Sequence, residues 1–346
     1  MKIGNFDLNS GKTFIIAELS ANHNGSLDTA IKTIRAAKRA GADAIKLQTY
    51  TAETITIASD KEDFILKSGS IWDGITFHEL YQQAYTPWEW HAELFKVAEE
   101  ENLICFSSPF DPTAVEFLEK LDVPAYKIAS FEITDIPLIE LVASKGKPVI
   151  LSTGIATEAD IRLALDACYR MGNKEVALLK CTSSYPAPIE EANMLMVKDF
   201  IDRFGVISGL SDHTMGSTVP VVAVCFGAKI IEKHFITDRS IGGPDSSFSM
   251  NEQEFTDMVK AVREAEKAIG KTDYTLTEKQ KAGRDFSRSL YIVEDLKSGE
   301  ILTSKNVRSI RPGFGMHPKY YKEVLGKTVK QDLKKGTRLA WEDINA

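Results

Sequence analysis

Eight short apolar runs, at 13–18, 42–48, 103–107, 125–128, 148–152, 176–180, 206–211 and 229–234, recur along the first 270 residues with amphipathic segments between them. Nearly unbroken hydrophobicity marks parallel strands covered on both faces, since a sheet with one wet face alternates. The intervening segments, at 26–40, 88–101, 112–121, 136–144, 158–171, 192–203, 219–226 and 252–269, read as helices. In the first, Ser26 stands at the N-cap, apolar residues fall at 27, 30, 31, 34 and 37, and Gly41 supplies the stop. Eight β-α units in series predict an α/β fold, a (β/α)8 TIM barrel. A doubly wound open sheet is the rival, but eight regular units and no GxGxxG motif favour closure.

The stretch 49–87 exceeds an ordinary βα loop. It carries Phe64, Ile65, Leu66, Trp72, Phe77 and Tyr81, so it is expected to be ordered and to cover the barrel mouth. Residues 271–285 are polar and read as a linker. From 286 the pattern changes to short strands, at 289–293 and 307–310. Two turns share a form, Asp295-Leu296-Lys297-Ser298-Gly299 and Asp332-Leu333-Lys334-Lys335-Gly336, a weak internal repeat. The predicted organisation is a catalytic barrel over 1–270, a linker over 271–285 and a small β-rich domain over 286–346. So small a domain is marginal alone and is expected to dock.

Hydrophobic content of 43% and charged content of 26% suit a globular enzyme. No apolar stretch approaches the roughly 20 residues that span a bilayer, and the first residues lack a signal peptide's apolar core. The expected location is the cytoplasm. The four cysteines, Cys105, Cys168, Cys181 and Cys225, form no CxxC pair and read as reduced thiols. Residues 286–346 hold 12 Lys+Arg against 7 Asp+Glu, a balance of +5, leaving 30 against 42, or −12, elsewhere. A basic module beside an acidic body can supply a cation to an anion site. No dense basic run or recognition motif suggests nucleic acid.

In such a barrel, chemistry collects at the C-terminal strand ends. Here every end is polar: Glu18; Lys46 with Gln48; Ser107 with Ser108; Lys127 with Ser130 and Glu132; Ser152 with Thr153; Thr182 to Tyr185; Ser211 with His213; and His234. His213 and His234 follow consecutive strands. One such histidine is compatible with a structural role, but the pair suits a divalent metal. Lys46 and Lys127, with hydroxyls and turn N–H groups, suit a phosphate plus a carboxylate. Glu18 and Glu132 can orient a hydroxyl or act as general acid or base. Asp212 reads as a supporting or capping group, and Asp245 as a turn residue or a site residue. His23 lies at the mouth; His78 and His91 carry no assigned role. These groups suit metal-assisted carbon–carbon bond formation with an anionic substrate.

Several motifs resemble the sialic acid synthase family: Phe14-Ile15-Ile16-Ala17-Glu18, Asn22-His23-Asn24-Gly25, Gly41-Ala42-Asp43-Ala44-Ile45-Lys46-Leu47-Gln48, Lys127-Ile128-Ala129-Ser130, Cys181-Thr182-Ser183-Ser184-Tyr185-Pro186, Gly209-Leu210-Ser211-Asp212-His213-Thr214 and Glu232-Lys233-His234-Phe235. The resemblance covers essentially the whole chain, and Arg311-Pro312-Gly313 falls in what resembles the family's antifreeze-like domain. Within the family, Glu18-Leu19-Ser20-Ala21-Asn22-His23, Trp72-Asp73-Gly74, Tyr85-Thr86-Pro87-Trp88-Glu89-Trp90-His91, Asp245-Ser246-Ser247-Phe248-Ser249 and Gly315-Met316-His317-Pro318-Lys319-Tyr320 are similar to the pseudaminic branch. Lys180 replaces a histidine common in the neuraminate branch.

The resemblance implies a TIM barrel joined to an antifreeze-like domain in a domain-swapped homodimer. It implies that His213 and His234 bind Mn²⁺ or another divalent ion such as Mg²⁺ or Co²⁺. It implies a phosphoenolpyruvate pocket lined by Lys46, Ser108, Lys127, Ser130, Ser152, Ser183 and Ser211. Glu18, Gln48, Tyr185 and Asp245 would hold an open-chain diacetamido-trideoxy hexose, with Phe110 lining the same pocket. Arg311 would reach the partner subunit's sugar. The implied reaction joins carbon 3 of phosphoenolpyruvate to the sugar aldehyde, with loss of phosphate by C–O cleavage. Glu132 and a metal-bound water are candidates for the proton transfers. Competing expectations are an N-acetylneuraminate or legionaminate synthase, a metal-dependent hydrolase on the same barrel, and a non-catalytic glycan-binding protein.

Overall fold

A computed structural model describes residues 1–346 apart from Ser68, Ser70, Ile71, Tyr185, Pro186 and Ala346. The chain divides into two compact units, Met1–Gly270 and Lys271–Ala346. In the first, β1 (Lys2–Ile3) and β2 (Phe6–Asp7) form an antiparallel hairpin. Next come β3 (Phe14–Glu18), β4 (Ala44–Thr49), β5 (Ile104–Pro109), β6 (Tyr126–Ile128), β7 (Val149–Ser152), β8 (Val176–Cys181), β9 (Ile207–Asp212) and β10 (Ile230–His234). These eight pair in parallel in chain order, and β10 returns to β3 to close a barrel. They coincide with the eight apolar runs to within a residue or two. The two-residue strands of the hairpin carry no such pattern and were not legible.

The helices of this unit are α1 (Leu27–Arg39), α2 (Ala52–Ile55), α3 (Phe77–Ala84), α4 (His91–Glu100), α5 (Pro112–Lys120), α6 (Ile136–Ala143), α7 (Glu158–Arg170), α8 (Leu195–Phe204), α9 (Thr218–Cys225) and α10 (Glu252–Ile269). Local chemistry sets their starts. The Ser26 hydroxyl accepts from Thr29 N (3.2 Å), and Asn251 and Glu254 form a reciprocal cap before α10. None of these helices is long and apolar enough to cross a membrane, among the described residues.

Side chains alternate along each strand, so every second residue enters the barrel. Phe14, Ile16, Ala44, Phe106, Ala125, Ile150, Ala177, Leu179 and Ile230 form the interior floor. The buried Ile3 and Leu8 of the hairpin segment join that cluster and plug it. Ile15, Ala17, Ile45, Leu47 and Ile231 alternate with these residues and pack in a separate core with residues of the covering helices. One step further along the inward rows stand Glu18, Lys46, Ser108, Lys127, Ser152, Cys181 and Glu232. The barrel is therefore greasy below and ionic above, on the same strands. Gly209 occupies an inward position where a Cβ would sit 2.5 Å from Ile230 O and 2.6 Å from Leu179 Cδ2.

The long stretch after β4 is ordered through α2 and α3, and Thr76 and Glu79 form a reciprocal cap on α3. Three buried hydroxyl and imidazole groups anchor its ends: Thr49 Oγ1 contacts His91 Nε2 (2.9 Å) and Ser107 Oγ (2.6 Å).

The second unit holds α11 (Glu278–Gly283), β11 (Ser289–Ile292), β12 (Val307–Ile310) and α12 (Tyr321–Val324). Within the polar stretch 271–285, α11 is helical, capped by Thr277. β11 and β12 pair antiparallel. The weak sequence repeat pairs with itself. Leu296 and Leu333 exchange backbone hydrogen bonds at 2.8 and 2.9 Å, Lys297 Nζ reaches Asp332 (2.7 Å), and Lys334 Nζ reaches Asp295 (2.7 Å). The peptide bond between Arg311 and Pro312 is cis.

Candidate active site

The ionic ring is organised around Glu232. Its Oε1 accepts from Ser211 Oγ (3.0 Å) and lies 3.2 Å from Lys46 Nζ and 3.9 Å from Lys127 Nζ. Burial alone would lift this carboxyl, but Lys127, Lys46 and the Ser211 hydroxyl outweigh it and hold Glu232 well below the usual carboxylate range. Lys46 Nζ also lies 3.1 Å from Glu18 Oε2 and 3.4 Å from Ser108 Oγ. Burial lifts Glu18 to about 7 against the pull of Lys46, so near neutrality it is only partly ionised. Two buried ammonium groups thus face one firmly ionised carboxylate. The surplus of positive charge in a dry site favours an anionic occupant.

Hydroxyls complete this half. Ser152 Oγ is buried with no hydrogen-bond partner among the described residues. Gly154 N donates to Ser130 Oγ (3.2 Å), and a Cβ on Gly154 would meet Ser183 Oγ at 2.0 Å and Ser130 Oγ at 2.7 Å. Glycine here lets the backbone approach both serines. Glu132, on the 3-10 turn Ser130–Glu132, has a buried Oε2 with no partner among the described residues, and burial lifts its carboxyl to about 7.

His213 and His234 lie side by side with ring centroids 5.2 Å apart, and both rings meet Phe248 edge-on, at 6.2 and 5.1 Å. His213 Nδ1 donates to Thr182 O (3.0 Å), which sets which ring nitrogen carries the proton in the neutral form. Burial, reinforced by His213 and Lys46, holds His234 well below the usual imidazole range, and its Nδ1 is buried without a hydrogen-bond partner among the described residues. Among the described residues no three His, Cys, Asp or Glu side chains form a cage. Two imidazoles, one with an unpartnered buried ring nitrogen among the described residues, fit the donor chemistry of a divalent ion.

Behind the histidines runs a second ion pair. Asp212 accepts from Thr214 N (2.9 Å) and Thr214 Oγ1 (3.0 Å), and Lys233 of the neighbouring strand bridges Asp212 Oδ2 (2.7 Å) and Thr214 O. Asp212 is thus committed to Thr214 and Lys233.

The opposite wall forms a polar chain. Gln48 Nε2 donates to Glu18 Oε1 (2.9 Å) and Ser20 Oγ (2.9 Å), and Ser20 Oγ donates to Asp245 Oδ2 (2.5 Å). Asp245 Oδ2 lies 3.7 Å from His234 Nδ1, and burial lifts its carboxyl. Above this chain the cavity is lined by Tyr50, Phe110 and Phe131, and by Ile55, Leu80, Tyr81 and Ala84 from the long insert. Trp72 Nε1 donates to Pro244 O (3.2 Å), joining the insert to the turn after β10.

One cavity therefore unites Glu18, Lys46, Gln48, Phe110, Lys127, Ser130, Glu132, Ser152, Ser211, His213, His234 and Asp245. Ser108 joins through Lys46, and Ser183 through its approach to Gly154. Tyr185 lies outside the described residues. Arg311 follows β12 in the second unit. Glu232 and Ser20 were missed. Counting back two residues from His234 along an alternating strand finds Glu232, a signal present in the sequence. Cys181 also lines the cavity, and Cys105 and Cys168 are buried thiols; only Cys225 is exposed.

Family models match two parts of the chain, NeuB over residues 33–274 and the SAF domain over 287–345. The chain is 50% identical over 343 residues to a pseudaminic acid synthase of Campylobacter jejuni, covering 99% of both. It is 47% identical over 331 residues to a pseudaminic acid synthase of Helicobacter pylori, covering 95% of this chain and 97% of that one. Among solved structures, an N-acetylneuraminic acid synthetase of Leptospira borgpetersenii in complex with citrate matches with a TM-score of 0.71 at 30% identity, covering 82% of this chain and 94% of that one.

Proposed function

This chain belongs to the NeuB family, and on that premise we propose that it carries out the pseudaminic acid synthase reaction, condensing phosphoenolpyruvate with 2,4-diacetamido-2,4,6-trideoxy-β-L-altropyranose to give pseudaminic acid and phosphate. The observation that carries this reading is one cavity holding a lysine-rich anion half beside the His213–His234 pair. A hydrolytic site gains little from two buried ammonium groups. A binding module has no use for unpartnered carboxyl and imidazole groups aimed inward.

Lys46 and Lys127 neutralise the phosphate and carboxylate of phosphoenolpyruvate, and the hydroxyls of Ser108, Ser130, Ser152, Ser183 and Ser211 complete its seat. The chain Glu18–Gln48–Ser20–Asp245 receives the hydroxyl and amide N–H groups of the open-chain sugar, with Phe110 lining the same cavity and Tyr185 read as a further sugar contact. His213 and His234 would hold a divalent ion, manganese in this reading, which would supply Lewis-acid chemistry at the aldehyde. Carbon 3 of phosphoenolpyruvate bonds to the aldehyde carbon, and the resulting cation at carbon 2 takes up water. The C–O bond to phosphate then breaks, leaving the ketone. Glu132, lifted to about 7, accepts the proton of the incoming water in this reading and returns it to an oxygen.

The reading includes a homodimer in which Arg311 of one subunit completes the sugar site of the other. The +5 balance of residues 286–346 against −12 elsewhere supports it. It sets the reaction in the cytoplasm, where phosphoenolpyruvate is made.

The test is a sugar panel. Phosphate release from phosphoenolpyruvate is followed with the altro sugar, with N-acetylmannosamine and with the legionaminate precursor, with and without added metal. The altro sugar should give the highest kcat/KM, and a product of the expected mass. Phosphoenolpyruvate labelled with ¹⁸O at the bridging position should deliver its label to phosphate. Preference for either other sugar removes the pseudaminic reading.

A further inference from the structure

Tyr50 follows the last residue of β4, two positions beyond Gln48, and reads in the sequence as one more apolar strand-end residue. Its side chain lines the cavity but is only 3% exposed. The ring is held edge-on by two neighbours, Tyr81 at 5.6 Å and 77°, and Phe110 at 5.0 Å and 73°. Its backbone is fixed as well, since Trp88 Nε1 donates to Tyr50 O (3.1 Å). The hydroxyl nevertheless has no hydrogen-bond partner among the described residues. A rigidly held, unpaired hydroxyl on a cavity wall is a group waiting for a ligand atom.

Its surroundings decide which atom. Burial and the carboxylates of Asp245 and Glu18 keep the phenol protonated well beyond neutral pH, so it presents a proton. Asp245 and Glu18 are the acceptors on this wall and satisfy O–H and N–H groups of a sugar. The other donors on this wall, Gln48 Nε2 and Ser20 Oγ, are already committed to these acceptors, so the uncommitted phenol matches an atom that only accepts. On a diacetamido sugar those atoms are the amide carbonyl oxygens, apart from the aldehyde itself. Phe110 and Tyr81 stand against the Tyr50 ring and offer an aromatic wall for the acetyl methyl.

We propose that the Tyr50 hydroxyl donates to an acetamido carbonyl of the sugar and is a specificity-determining residue for acetamido over hydroxyl substituents. The proposal rests on the substrate reading above. In a site built around such a bond, a sugar lacking the carbonyl leaves the phenol unpaired and is disfavoured.

The experiment uses the full chain with bound metal. Tyr50→Phe removes one oxygen and keeps the stacked ring. The KM for the diacetamido sugar should rise about tenfold, while the KM for phosphoenolpyruvate stays within about twofold. Two analogues, each with a hydroxyl replacing one acetamido group, are run beside it. The wild type should discriminate against one of them, and Tyr50→Phe should lose about tenfold of that discrimination. A sugar KM within twofold of wild type, an equal rise for both substrates, or unchanged discrimination against both analogues would overturn the assignment. The wild-type control separates the two levels. Wild-type turnover with an unaltered variant removes Tyr50 alone; no wild-type turnover of the sugar removes the substrate reading and this proposal with it.

Discussion

Lys233 and Asp212 form an ion pair of 2.7 Å in which both side chains are almost wholly buried. Each is the immediate chain neighbour of a cavity histidine, His234 and His213 respectively. The pair therefore ties together the two strand ends that present the imidazoles.

Lys233→Met should leave Asp212 buried and uncompensated, costing about 3–5 kcal/mol of stability. Urea unfolding would read this as a lower midpoint at unchanged slope. Manganese affinity, measured by calorimetric titration on the folded variant, should fall as well. A midpoint equal to that of the wild type contradicts the clamp.

Replacing His213 or His234 with alanine should nearly abolish turnover while leaving the fold intact. Losing one of two imidazoles weakens metal affinity and removes on the order of several kcal/mol of transition-state stabilisation. Metal content and phosphate release on the purified variants check both parts. Full activity of exhaustively chelated wild type would refute the metal role.

Lys127→Met and Lys46→Met should each raise the KM for phosphoenolpyruvate. A lost charge-assisted contact costs about 1.5–3 kcal/mol, or roughly one to two decades in affinity. The Lys46 variant should also lose stability, because Glu18 and Glu232 both lean on that ammonium. An unchanged KM in both variants would remove these lysines from the anion seat.

Burial lowers Lys127 to about 8, against the pull of Glu232. The folded-state value lies below the usual lysine value, so the ammonium is lost within the working range rather than far above it. Below about pH 8 the charge is present and supports anion binding; above it the charge fades. The kcat/KM for phosphoenolpyruvate should therefore fall as pH rises through about 8. In Lys127→Arg, whose charge persists, that limb should move to higher pH. A limb that stays in place in this variant points to another group.

The dimer reading predicts complementation. Inactive His234→Ala protomers mixed with inactive Arg311→Ala protomers should regain activity after subunit exchange. Each mixed dimer then has one site with an intact barrel and an intact partner arginine. Exchange verified by mass, with no recovered turnover, rules out the shared site.

How much of this was legible follows from periodicity. A parallel strand buried on both faces announces itself as an apolar run, so all eight barrel strands and their polar ends could be read directly. Which of two adjacent charges enters the cavity could not. In Glu232-Lys233-His234 the sequence offers three polar residues in a row, and only the pleat separates Glu232 and His234, inside, from Lys233, outside. Lys233 looks like surface until its partner Asp212, twenty-one residues earlier, is found across the sheet. Tyr50 was hidden for the opposite reason: an aromatic at a strand end looks like core, and its unpaired hydroxyl is a fact of three dimensions.

The insert between β4 and α4 lends the cavity an apolar wall, whereas the strand ends hold the lysines, the carboxyls and the histidines. Inheritance acts on these two parts unequally. A change at Lys46 or Glu232 disturbs a charge balance that several strands share, while a change at Ile55, Leu80 or Ala84 reshapes one face of a surface excursion whose ends are tied down separately. The apolar wall can therefore change shape while the charge balance at the strand ends stays intact, which leaves the choice of sugar free to vary separately from the chemistry of bond formation.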